Sequence, residues 1–421
     1  MNKVNLTVSG ATNNELNALK AYETYINDLV KEYRDNGRYK EPYKVYISYQ
    51  KTKKFYTASG IINILVIQYE YINPNTNKKV RFVYYPNDEY RYMAKFKYSA
   101  QVMQDSMIDY IAGTFRKKIN YPSNQLVKYW LKRENALEQL IIQNEELLNK
   151  TKEFIKLLNK DKISTQMDSD DTYNTFRVKG KFVKKMIRLR IIRIFANDDY
   201  LLKGKKQNPK KPISMVAIYD IRNLGKSADN HKAIKVINEF NSQTGLINNK
   251  MAYVCDGARA LKLEASILGM DYHLDLFHLI QNIDKYIGYK KHSKNTIKNL
   301  FIDYFSPTKK ERWIDLLTKS IKENDYELYK ETLDELEDLR LSVQSKSIKK
   351  NITSLLTYLK SKNSGIWDNQ TRKAIVSYTE NNINYHYKKL IKNSLAHYTE
   401  QTTKMKVLFS NLQKNIPTIF I

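Results

Sequence analysis

The chain has 421 residues, which at roughly 100–200 residues per domain makes two to four domains. Lys and Arg number 72 against 44 Asp and Glu, a net charge of +28, and 42 % of residues are hydrophobic, which excludes a mainly disordered chain. The single cysteine, Cys255, excludes a disulfide framework and a Cys-based zinc finger.

The longest apolar stretch, residues 61–67, is broken by Asn63 and is far too short to cross a bilayer. Residues 1–5 lack the apolar run of a signal peptide. The expectation is a soluble, cytoplasmic protein with no membrane partner. A strongly basic chain attracts phosphate backbones, so nucleic acid is the first partner to consider. The 33 Tyr against 3 Trp, with abundant Lys, Asn and Ile, resemble the product of AT-rich coding. Such coding would enlarge the lysine count, yet the field that the lysines make is real.

In chain order, residues 13–35 predict an amphipathic helix with Leu16, Leu19, Tyr22, Ile26 and Val30 on one face. Residues 43–49 alternate as a strand. Residues 61–72 and 79–85 flank the turn cluster Asn73-Pro74-Asn75-Thr76-Asn77, a β-hairpin pattern. Residues 1–98 thus form a small α+β module. Residues 101–114 predict a helix. After the break at Tyr121-Pro122, Ser123 caps another, with Leu126, Val127, Trp130 and Leu131 at helical spacing. The second helix carries Asn124, Gln125, Lys128, Lys132 and Arg133. In a helix-turn-helix it would enter a major groove, where Asn and Gln read adenine and Lys or Arg meet guanine or phosphate. The alternative is an ordinary helical hairpin.

Residues 134–160 continue as a long helix with a near-heptad apolar stripe interrupted by Asn144 and Thr151. The stripe suits a dimerising coiled coil, or a helix packed on its own protein. Residues 99–160 make a second segment. From residue 161 to 289 the order is β-β-β-α-β-α-β-α, that of an RNase H-like sheet. Strands are expected at 163–168, 184–195, 213–219, 250–255 and 272–274, and helices at 231–244, 258–268 and 276–287. No GxGxxG or Walker motif is present. Residues 290–370 read as a helical insertion, with helices at 308–322, 325–344 and 348–359. Residues 371–421 supply a helix at 373–392 that completes the core, and a tail.

Three acids stand where chemistry needs them. Two-metal nucleases and transposases hold two Mg²⁺ or Mn²⁺ ions with carboxylates converging from separate elements, and hard oxygen donors suit these ions where thiols do not. Asp168 ends the first strand in an acid-rich run, Asp168-Ser169-Asp170-Asp171. Asp256 ends another strand, immediately before Gly257. Glu380 sits on the apolar face of the late helix, with Val376, Ile383 and Tyr387, where a carboxylate must be paired or bound to metal. The plainer readings are a turn or cap acid, an ordinary Asp-Gly turn, and a Lys-paired glutamate.

Asp168-Ser169-Asp170-Asp171, Cys255-Asp256-Gly257-Ala258, Leu274-Asp275-Leu276-Phe277-His278 and Thr379-Glu380 together resemble a family of bacterial DDE transposases, including the integrative-element transposase-like proteins of wall-less bacteria. Thr57-Ala58-Ser59-Gly60 is similar to that family's Thr-x-x-Gly opening, and residues 122–130 to its helix-turn-helix. The resemblance implies an RNase H-like catalytic domain with a helical insertion, as in the mutator-like superfamily. It implies Asp168, Asp256 and Glu380 as catalytic ligands of two Mg²⁺ or Mn²⁺ ions. Asp275-x-x-His278 resembles that superfamily's Cys/Asp-x-x-His motif. There His278 touches DNA or orients a ligand, or else ties strand to helix by a hydrogen bond. Cys255 departs from the family's Gly, Arg259-Ala260 from its Trp-containing segment, and Asp171-Thr172-Tyr173 from its acid-plus-His run.

The expected function is DNA strand cleavage and transfer on double-stranded DNA, at mobile-element ends and at a target, by a homodimer or higher oligomer. Lys205, Lys206 and their neighbours between residues 203 and 211 would contact phosphates, as would a basic ladder over residues 184–193. The rival readings are a solvated loop and one exposed strand face. The alternative functions are a non-catalytic DNA-binding regulator of a mobile element and an RNase H-like nuclease.

Overall fold

The computed structural model describes residues 13–114, 122–196, 210–220, 227–289, 300–367 and 398–421. The chain divides into two compact units, Met1–Leu137 and Glu138–Ile421.

The first unit opens with α1 (Asn13–Asp35), which buries Ile26, Val30 and Tyr33. They pack on a three-stranded antiparallel sheet in the order β1-β2-β3: β1 (Tyr46–Tyr56), β2 (Ile61–Ile72) and β3 (Lys79–Val83). β3 pairs only with the second half of β2. The first half meets α1, where Asn27 donates to the carbonyl of Asn63 (2.7 Å) and accepts from the N–H of Leu65 (2.7 Å). Glu23 accepts from the N–H of Asn63. Side chains of a helix thus substitute for a missing strand, as buried backbone groups require. Thr57 closes the β1–β2 turn by exchanging bonds with Gly60. In the β2–β3 turn Asn73 accepts from Asn75, and Asn77 takes a positive φ of 49°. Three helices follow: α2 (Asp88–Lys95), α3 (Ala100–Ala112) and α4 (Asn124–Arg133). The N-cap predicted at Ser123 is present, its hydroxyl accepting from the N–H of Leu126.

The second unit is a mixed α/β domain. After α5 (Ala136–Lys156) come β4 (Ile163–Val178), β5 (Lys181–Ala196) and β6 (Lys210–Asp220), an antiparallel meander. Then follow α6 (Ser227–Thr244), β7 (Met251–Cys255), α7 (Arg259–Leu268), β8 (Asp271–Leu274) and α8 (Leu276–Ile287). β7 runs parallel to β4, and β8 parallel to β7. The six-stranded order is β8-β7-β4-β5-β6-β9, with β9 (Thr418–Phe420) parallel to β6. One face packs on α5, α6 and α7 through Ile155, Ile237, Phe240, Leu261 and Leu268. On the other, Val407 of α12 (Glu400–Leu412) meets Ile187, Leu189 and Ile191.

Between sheet and tail, α9 (Trp313–Glu323), α10 (Tyr326–Ser342) and α11 (Lys346–Trp367) gather around α8 through Leu279, Leu317, Leu336 and Leu355. This is the helical stretch expected between residues 290 and 370. The helix predicted at 373–392 lies outside the described residues. The first strand of this unit is much longer than predicted. The Asp168–Asp171 run reads as a turn because Asp is a poor strand former. Here it lies within β4, with Arg193 against Asp168 and Arg188 paired with Asp171 across the sheet.

Candidate active site

The sheet register decides which acids can meet. Across β4, β7 and β8, Asp168 stands beside Val254, and Val254 beside His273. Neighbours in register share a sheet face, and alternate residues along a strand return to it. Asp168 and Asp170 therefore share one face. Asp256 and Asp275, two residues beyond Val254 and His273, continue that row just past the carboxyl ends of β7 and β8. Continuing the β4–β7 register by two residues sets Asp170 level with Asp256.

Each acid has a distinct setting. Asp168 is fully buried, with Arg193 Nε 3.0 Å from its Oδ2 and Gln166 donating to its Oδ1. Burial pushes its pKa above the ordinary carboxylate range, Arg193 and Gln166 oppose the rise, and the charge of Asp275 adds to it. Asp256 is half-buried, and its Oδ1 accepts from the N–H of Ala258 at 2.8 Å. Gly257 holds a φ of +80° there, and a Cβ on it would lie 2.7 Å from Leu274 Cδ1. Asp275 is buried and caps α8, accepting from the N–H of Phe277 at 2.8 Å. His278, in the first turn of α8, is half-buried and edge-on to Phe277.

The helical insertion reaches this place. Lys362 of α11 donates to the carbonyl of Gly257. Tyr358, one turn earlier, keeps its hydroxyl protonated: burial holds it up at about 12, with smaller contributions from Tyr286 and Asp256 against the bond from Asn282. Asn282 of α8 donates to that hydroxyl at 3.3 Å. A positive and a neutral donor thus stand by Asp256, a suitable setting for a phosphate.

Carboxylate oxygen is the right donor for Mg²⁺ or Mn²⁺. Asp256, beside a glycine that lets backbone come close, fits such an ion. Asp168 fits it only if the ion takes the place of Arg193. Among the described residues no group of three His, Cys, Asp or Glu is assembled to hold a metal. Glu380, expected as the third carboxylate, lies outside the described residues.

The predicted basic ladder divides in two. Lys184 is exposed, whereas Arg188, Arg190 and Arg193 are buried. Neither phosphate contact nor an exposed strand face describes these arginines, because β5 lies between β4 and β6 and is covered on both sides. On the face opposite Asp168, Arg188 forms a two-pronged pair with Asp171 (2.7 and 2.8 Å), and Arg190 one with Glu264 (2.6 Å for both prongs). Tyr253 donates to Glu264 at 2.8 Å. Burial alone would raise Glu264, but Arg190 holds it below its ordinary pKa. The alternation of residues 184–195 is therefore a strand with ionic partners, and the partners come from α7 and β4.

On α4, Asn124, Gln125, Lys128, Lys132 and Arg133 are all exposed, while Val127, Trp130 and Leu131 are buried. Arg133 pairs with Glu134, and the Lys128 ammonium stands 5.9 Å from the centre of the Tyr110 ring. Tyr129, exposed on the same helix, joins this polar face. Lys205 and Lys206 lie outside the described residues. Sequence reading missed Arg193 as the partner of Asp168, and Lys362 beside Asp256. Nothing local pointed to either: β5 pairing brings the first to Asp168, and α11 brings the second. No protein-family model matches this chain, and no curated protein matches it.

Proposed function

We propose that this chain is a transposase-like DNA-binding protein whose second unit is an RNase H-like domain. The strand order supports that fold: a three-stranded antiparallel meander, with two parallel strands added beside its first strand. The observation that carries the functional reading is the row of carboxylates on one face, with Asp168 and Asp170 within β4 and Asp256 and Asp275 just past the carboxyl ends of β7 and β8. In open α/β sheets, ligands gather beyond those strand ends.

In this reading Asp168, Asp256 and Glu380 hold the ions, and the DNA enters over the site. Two divalent ions supply activation of the attacking oxygen and support for the leaving 3′ oxygen. Asp256, fixed by its bond from Ala258, presents a carboxylate at a set position. Lys362, beside Gly257, meets the phosphate being cut. The exposed face of α4 grips duplex DNA through its phosphates. Work of this kind is positioning, and needs no nucleotide cofactor.

The second reading is a non-catalytic DNA-binding regulator of a mobile element. It draws on the Asp168–Arg193 pair, which already neutralises the first carboxylate. Incubation of labelled duplex with Mg²⁺ or Mn²⁺ separates the two. The catalytic reading expects metal-dependent nicks, lost at least about a hundredfold in Asp256→Asn, with DNA affinity retained. Equal cleavage by Asp256→Asn and wild type would remove the assignment. Tight, salt-sensitive binding with no cleavage in either metal would establish the regulator.

A further inference from the structure

The first unit leaves part of one sheet face exposed. β1 is an edge strand, and its register against β2 is irregular between Ile47 and Tyr49. Tyr46 stands opposite Glu70 and Tyr49 opposite Gln68. Residues three apart normally lie on opposite faces of a strand. The extra residue, Ser48, restores both tyrosines to one face, as a β-bulge does. Their partners are two residues apart, so the two rings are set about 7 Å apart along the strand. That is close to the step between successive phosphates of an extended polynucleotide.

Both rings are half in solvent, at 51 % exposure each. The Lys44 ammonium lies 5.3 Å from the centre of the Tyr46 ring, and that of Lys51 5.6 Å from the Tyr49 ring. Across the same face β3 brings Lys79 and Arg81, both more than half exposed, beside Glu70. One carboxylate against four cations leaves the face strongly positive. Stacking surfaces flanked by mobile cations are what an unpaired strand requires: π-faces for its bases and charge for its backbone. A duplex, whose bases are already stacked, would leave both rings unused.

We infer that the face bearing Tyr46 and Tyr49 binds single-stranded DNA, separately from the duplex surface on α4. The choice of DNA over RNA rests on the transposase-like reading; the single-strand chemistry does not. The test uses the full chain, without metal, and a fluorescein-labelled oligothymidylate read by fluorescence anisotropy. Tyr46→Ala and Tyr49→Ala should each weaken binding about tenfold, the loss expected of one base stack. Tyr46→Phe, which keeps the ring, should bind like wild type. Lys51→Gln with Arg81→Gln should make binding less sensitive to salt. Duplex affinity, measured in parallel, should be unchanged by the tyrosine variants. Unchanged oligothymidylate affinity in both alanine variants, in protein of unaltered melting temperature, overturns the inference; equal or tighter binding of oligouridylate overturns its choice of DNA. Absence of metal-dependent duplex cleavage by the wild type, with oligothymidylate binding intact, would remove the catalytic reading and leave this one standing.

Discussion

Lys406 shows how far the charge of one residue can be set by its surroundings. It sits on α12, 1 % exposed, with its ammonium 4.8 Å from the centre of the Tyr398 ring. Burial lowers its pKa from 10.5 to about 8. A lysine whose folded pKa is depressed holds its proton less tightly in the native state. Its contribution to stability is therefore present above pH 10.5 and is lost as pH falls through about 8. Relative to wild type, Lys406→Met should therefore gain stability, by on the order of 3 kcal/mol, as pH falls from 10.5 to 7. Urea melts at the two pH values check this. The tyrosines that also titrate above pH 10 cancel when variant and wild type are compared. A variant that gains nothing over that interval would mean that Lys406 is held by a partner that offsets its desolvation.

Two asparagines show, one element at a time, why the sequence was only partly legible. The stripe on α5 reads as apolar with Asn144 and Thr151 as faults. In the fold those two, with Ile155, are the residues α5 buries; of the rest of the stripe, Leu148 and Phe154 are partly buried against the core and Ile141 is exposed. Asn144 donates to the carbonyl of Thr418 (2.8 Å) and accepts from its N–H (2.7 Å), which completes the edge of β9. Asn27 on α1 does the same for β2. Period alone located α1, whose bounds match the expectation, and β2, whose bounds match as well. It did not show which helix residues meet a strand edge, because the strand that needs them lies 274 residues away in the chain. The candidate site divides in the same manner. Asp256-Gly257 was readable, since a glycine after a strand announces a close approach. The setting of Asp168 was not, since Arg193 reaches it only through β-pairing. Asn144→Leu would perfect the heptad stripe. It should nevertheless destabilise the protein by about 2 kcal/mol, because two buried backbone groups lose their partners. Faster amide exchange at Thr418 should accompany the loss. If instead the variant gains stability and dimerises, α5 is a coiled-coil element.

The whole molecule carries +28, but its charges do not all face outward. Arg188, Arg190 and Arg193 are buried against Asp171, Glu264 and Asp168, so the centre of β5 presents no cations to a ligand. The field that a polyanion meets comes from surface lysines and arginines, among them Lys128, Lys132 and Arg133 on α4. These differ in kind from the buried set: they are replaceable without leaving an acid unpaired in the core. Each phosphate contact to duplex DNA contributes about 0.9 to the slope of log affinity against log salt. If α4 is the duplex-binding helix, the triple variant Lys128→Gln, Lys132→Gln, Arg133→Gln should flatten that slope by up to about 2.7 and weaken binding most at low salt. The melting temperature should hold, because all three side chains are exposed. Titrations of one labelled duplex at several salt concentrations give the slope directly. A weaker affinity with an unchanged slope would mean that α4 reads bases or shape and leaves the phosphates to other residues. An unchanged affinity and slope would remove α4 from the duplex interface.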